Sequence, residues 1–176
     1  MLLKREGYWT AIGVKVELSK AQKRAIGVAT TPRWEMDVVA YRGATNELLA
    51  VECKSFLDST GVIFRNGQFE PPKRYKLFAN ETTRRVVLAK LAEQMVASSA
   101  CAANPTVTLC LATGKIARRS DRLQLDEHFA THGWRLFDED WIFSRLKMAA
   151  TAGFENDVAH VVAKLILRRK AASEAG

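Results

Sequence analysis

The chain has 176 residues, 48% of them hydrophobic and 26% charged, a composition ordinary for one globular domain with one core. Its 27 Lys and Arg against 19 Asp and Glu leave a net charge of +8, which favours an acidic partner, nucleic acid first among them. No apolar run reaches the roughly 20 residues of a membrane span, the opening MLLKREGYW lacks a secretory pattern, and three cysteines with no C-x-x-C pair argue for free thiols in a reducing cytoplasm and against a cysteine zinc site.

Residues 1–27 read as a helix, with Tyr8, Trp9, Ile12 and Val16 at spacings near 3.6 and Gly27 as the stop. MDVVAYR and ELLAVECKSF read as strands joined by the turn-rich GATN, and GVIFRNGQFE as a second hairpin around Asn66-Gly67. Asn80 caps a helix running to about Ala100, whose apolar face is Val87, Leu88, Leu91 and Met95. PTVTLCLA is a strand with its proline at the permitted first position. DRLQLDEHFATHG is a helix stopped at Gly133, and WRLFDED is a short strand. WIFSRLKMAATAG and NDVAHVVAKLILRR are helices, the second capped by Asn156 or Asp157. The order predicts an α/β fold, a central mixed sheet flanked by helices. Residues 1–137 would form the core and 138–176 a C-terminal helical extension packed on or extending the same domain. Those last helices can pack on the core, pair two copies as a homodimer, or touch DNA; the sequence leaves all three open.

The chemistry concentrates in VECKSF, where Glu52 and Lys54 interrupt an apolar strand. Buried charges there cost several kcal/mol (~1–5) unless paired or bound to something. If the four-residue turn Gly43–Asn46 closes the hairpin symmetrically, Tyr41 faces Leu48, Val39 faces Ala50 and Asp37 faces Glu52. Lys54 then shares that face, opposite Glu35, and Cys53 points away. Two facing carboxylates repel unless they share a proton or a cation, and a hard divalent ion, Mg²⁺ or Mn²⁺, suits such oxygen donors. An ion so held can polarise a phosphodiester while the neighbouring lysine orients water or offsets developing charge. The same charges can instead form a cross-strand ion network without any metal.

Asp37, fourteen intervening residues, and Glu52-Cys53-Lys54 on adjacent strands resemble the PD-(D/E)XK nuclease superfamily, the restriction-endonuclease-like proteins. The resemblance covers roughly residues 7–112. It implies a core of helix, three antiparallel strands, helix and a further strand. Met36 stands where that motif has its proline, and the first core strand is expected before Asp37, around VATTPRW. The resemblance makes Asp37 and Glu52 the metal ligands and Lys54 the residue that assists the attacking water. It further implies a helical glutamate upstream, Glu17 with Glu6 and Glu35 as rivals, and a glutamine on the following helix, Gln94. Glu17 can equally be a solvated helix residue, and Gln94 a buried amide bonded to backbone.

Arg84 and Arg85, in the first turns of a helix, oppose its dipole and suit a phosphate-facing role, as do Lys73 and Arg74 in PPKRYK; plain solvation is the alternative. His128 and His132 are four apart, but with no third zinc ligand they read as an exposed helical pair. The expected function is therefore a cytoplasmic Mg²⁺- or Mn²⁺-dependent endonuclease or exonuclease that hydrolyses DNA phosphodiesters. The alternative is a catalytically inactive nuclease-fold subunit that binds DNA or serves assembly.

Overall fold

The computed structural model describes residues 2–28, 34–153 and 157–174. The expected N-terminal helix is replaced by three elements: a short α1 (Leu2–Arg5), a strand β1 (Trp9–Val16) and a short α2 (Lys20–Ala25). Ser19 and Gln22 form a reciprocal capping box at the start of α2. The expected strand VATTPRW falls largely on residues 29–33, outside the described ones, and the strand that precedes β2 in the sheet is β1.

The misreading of β1 has a physical cause in Gly13. Tyr8, Thr10 and Ile12 lie on one face of the sheet, and Val14 and Val16 pack into the core on the other. Gly13 stands at the switch with φ of +62°, a left-handed conformation that glycine adopts without steric cost. A strand that changes face midway loses its period of two, and the remaining apolar spacing mimics a helix.

The strand β2 (Trp34–Arg42) pairs antiparallel with β1 and with β3 (Glu47–Lys54). A small hairpin of β4 (Ile63–Arg65) and β5 (Gln68–Glu70) follows, then α3 (Lys76–Ala79) and the long α4 (Glu81–Ala97). Asn80 caps α4 by accepting the Thr83 N–H at 2.8 Å, and Thr83, Val87, Leu91 and Met95 form its buried face. Next come β6 (Thr106–Thr113), α5 (Arg119–His132), β7 (Arg135–Phe137), α6 (Glu139–Thr151) and α7 (Val158–Glu174).

The five strands run in the order β1-β2-β3-β6-β7, with β3–β6 and β6–β7 parallel. The fold is thus α/β, with a mixed central sheet flanked by helices. On one face Leu48, Ala50, Leu109 and Leu111 meet Val87 and Leu91 of α4 and Leu125 and Phe129 of α5. On the other, Leu49, Val51, Cys110 and Phe137 meet Leu3 of α1 and Trp141 of α6. Each fully buried aliphatic or aromatic side chain contributes roughly 1.5–3 kcal/mol relative to exposure. Asp138 caps α6 through the Trp141 N–H, and Asp157 caps α7 through Ala159 and His160. Among the described residues no helix is long and apolar enough to cross a membrane.

Two polar networks brace this frame away from VECKSF. Buried Glu47 takes Arg42, Arg135 and the Tyr8 hydroxyl, and Arg42 lies 4.7 Å over the Tyr8 ring. Arg122 of α5 reaches Asp138, Glu139 and Asp140 at the start of α6.

Candidate active site

The β2–β3 ladder keeps the register of the four-residue turn, Tyr41 to Leu48 and Val39 to Ala50, and ends at Val38 to Val51. Asp37 lies one step beyond. Val38 lines the same face as Ile12, while Met36 and Val39, three apart, both pack in the α4 core. Asp37 therefore stands where β2, like β1 at Gly13, changes face. The Asp37–Glu52 ladder pair does not form. Instead the Asp37 carboxylate accepts the Cys53 backbone N–H at 2.6 Å, tying it to the centre of Glu52-Cys53-Lys54.

The change of face also corrects the expected Glu35–Lys54 pair. Glu35 lies opposite Lys15 of β1, and the β2–β3 ladder stops at Val38–Val51 without reaching a Glu35–Lys54 pair. Lys54 contacts Glu52 instead, Nζ to Oε2 at 3.3 Å, with both side chains largely buried. Burial lifts the Glu52 carboxyl above the ordinary glutamate range; Lys54 opposes the shift and the Asp37 charge adds to it. Asp37 and Glu52 thus sense each other electrostatically without sharing a ladder pair.

The far end of β3 is held as tightly. Lys54 is paired with Thr113 of β6, and the Gly114 N–H donates to the Lys54 carbonyl at 3.1 Å. A Cβ on Gly114 would lie 2.4 Å from the Ser55 carbonyl oxygen, so only glycine permits this approach. Cys53 behaves as its position in the strand dictates. It faces the opposite side, lining a groove with Val51, Ala112 and Phe137. Although the residue is exposed, partial desolvation of its thiol against the sheet, then the charges of Asp37 and Glu52, push it up to about 11, far from a reactive thiolate.

The donor set suits a hard cation. Among the described residues Asp37 Oδ1 and Glu52 Oε1 accept no hydrogen bond, because Asp37 engages Cys53 through Oδ2 and Glu52 engages Lys54 through Oε2. Each carboxylate keeps one oxygen for a ligand. Among the described residues no group of three or more His, Cys, Asp or Glu could hold an ion. An ion held by these two would complete its shell with water or substrate oxygens, as Mg²⁺ commonly does.

The other expected site residues sort differently. Glu17 is not helical; it is exposed in the segment between β1 and α2. Its backbone N–H donates to Gln94 Oε1 at 3.2 Å, while Gln94 Nε2 donates to the Lys15 carbonyl at 2.8 Å. The Gln94 amide thus clips α4 to the end of β1. Glu6 pairs with Arg145 of α6. Arg84 donates to the carbonyls of Leu77 and Phe78 at 3.1 and 3.2 Å and lies 4.8 Å over the Trp134 ring, so its guanidinium closes the end of α3. Arg85, Lys73 and Arg74 are exposed. His128 and His132 are part of an aromatic cluster, their rings 4.2 Å apart and His132 stacked on Trp134. Burial, with help from His132 and Arg84, lowers the His128 pKa.

No family model, curated protein or solved structure matches the chain. The site must be judged on its own chemistry. Two of its features had no signature in the sequence: the Cys53 N–H as the anchor of Asp37, and Gly114 as the seat of the Ser55 carbonyl. Both are backbone contacts, which residue identity does not encode.

Proposed function

We propose that the protein is a metal-dependent nuclease of the PD-(D/E)XK kind acting on DNA phosphodiesters, with Asp37 and Glu52 as ligands of Mg²⁺ or Mn²⁺. One observation carries this reading: where the β2–β3 ladder ends, two carboxylates, each with an unengaged oxygen and one raising the pKa of the other, stand beside a lysine. With the short α2 between β1 and β2 and the β4–β5 hairpin and α3 before α4 set aside, the antiparallel β1–β3, the helix α4 and the parallel β6 are compatible with that superfamily's core, and the net charge of +8 suits a polyanion. The bound ion would neutralise phosphate charge and make water a better nucleophile.

The chain's own residues would do the rest. Asp37 is fixed by the Cys53 N–H, so its free oxygen is presented without rotational search. The Lys54 ammonium, held by Glu52 and anchored through its carbonyl by Gly114, would orient the attacking water and offset charge on the phosphoryl oxygens. Water adds to phosphorus, the bond to the leaving oxygen breaks, and a phosphate monoester and a hydroxyl result.

The test is cleavage of plasmid and oligonucleotide DNA with each metal. Wild type should cut, and Lys54→Ala should lose roughly 10²–10³-fold in rate, the usual cost of removing one such charge-stabilising group. Equal background from both proteins would end the enzymatic reading. A second reading, a nuclease-like subunit that binds DNA or serves assembly without cutting, is favoured by the Lys54–Glu52 pair, which balances one carboxylate without any ion. Salt-dependent DNA binding with no metal-dependent cleavage would select it.

A further inference from the structure

α7 has two apolar faces, and among the described residues only one is covered. His160 and Ala163 are buried where the helix packs on α6. Val158, Val161, Val162, Leu165 and Ile166 recur at helical spacing along another face, and are 82, 38, 46, 64 and 62% exposed. Single exposed aliphatic residues are ordinary on any surface, but five in one stripe mark an interaction site.

We propose that this stripe joins two copies of the chain, their α7 helices packed antiparallel about a two-fold axis near Val162. Charge selects both the occupant and the orientation. Asp157 caps the N-terminal end of α7, and in the sequence Arg168, Arg169 and Lys170 follow the stripe. A parallel pair would crowd the basic ends together, whereas an antiparallel pair sets the acidic end of each helix along the basic end of the other. With Val162 on the axis, Val158 of one copy meets Ile166 of the other, so the whole stripe is self-complementary. The area is adequate: five aliphatic side chains this exposed offer on the order of 500 Å² per copy, or about 1,000 Å² for the pair, near the threshold for specific association. A lipid surface would favour cations along the whole polar face of the helix, but of the four Lys and Arg in α7 only Lys164 lies mid-helix and the other three fall at one end.

The experiment is sedimentation velocity of the full chain from about 1 to about 100 μM, for wild type and for Leu165→Glu/Ile166→Glu. Both positions are exposed, so circular dichroism should report an unchanged fold. Wild type should sediment as a dimer and the double variant as a monomer, with association weakened at least about 100-fold, because four carboxylates would be buried unpaired. A wild type that stays monomeric across this range, or a variant that dimerises as wild type does, overturns the proposal. So does a monomeric wild type that binds phosphatidylserine vesicles while the variant does not. In a Cys53→Ser background, Val162→Cys should cross-link across the axis on oxidation and Val158→Cys should not; cross-linking at 158 would overturn the antiparallel arrangement.

Discussion

Burial gives Glu52 a pH signature that a melt can read. Its pKa is raised on folding, so the native state holds the proton more tightly than the unfolded chain does. The stability it contributes is full below the ordinary glutamate value and is lost as pH rises through the raised folded value. Glu52→Gln should remove that dependence, so thermal melts across this window should show the variant gaining on wild type as pH rises. An equal pH slope in both proteins would contradict the burial of Glu52. Gln94 offers a second test on a single side chain. Both ends of its amide serve backbone groups of the β1 end, so Gln94→Ala should cost about 1–3 kcal/mol. For a domain of this size that lowers the melting temperature by about 2–4 °C per kcal/mol. If cleavage is present and falls far more than stability does, Gln94 acts in the chemistry as well.

Among the elements, the strands are positioned by what happens at their irregular points. Gly13 lets β1 change face opposite the segment where β2 does so at Asp37, and that shared kink sends the Asp37 carboxylate to the Cys53 N–H. Gly13→Ala would force a left-handed conformation on a residue with a Cβ, costing about 1–2 kcal/mol. Gly114→Ala should do more. Its methyl would collide with the Ser55 carbonyl, displacing the chain just after Lys54, at about 1–3 kcal/mol by the usual cost of overpacking. Cleavage by this variant should fall even at temperatures where melts show it fully folded. These kinks also explain what could be read in advance. The β2–β3 register is legible because turn length and alternation fix it from Val38 to Arg42, and α4, α5, α6 and α7 are legible from caps and periodicity. β1 is not, because a face change erases the period of two. Strict alternation sets Glu35 opposite Lys54, but the alternation breaks at Asp37. Gln94 and Arg84 are visible as polar residues on a helix, but their backbone acceptors come from segments distant in sequence or from the preceding helix end.

For the whole molecule, the excess of Lys and Arg makes binding to a polyanion a matter of salt. If DNA is the partner, the logarithm of affinity should fall linearly with the logarithm of salt concentration. Replacing exposed Arg85, Lys73 or Arg74 with alanine should reduce that slope by up to about 1 for each phosphate left without its cation. Arg84→Ala should instead lower the melting temperature, because its guanidinium supports α3 and Trp134. A slope unchanged by all three exposed substitutions would place the DNA face elsewhere on the chain. Whether Asp37 and Glu52 hold a divalent cation is decided by calorimetric titration of Mn²⁺ into wild type, Asp37→Asn and Glu52→Gln. Wild type should take up the ion specifically, with affinity rising as pH passes through the Glu52 window, and either substitution should abolish that uptake. Uptake by all three proteins alike, or by none, would contradict a metal site between these two carboxylates.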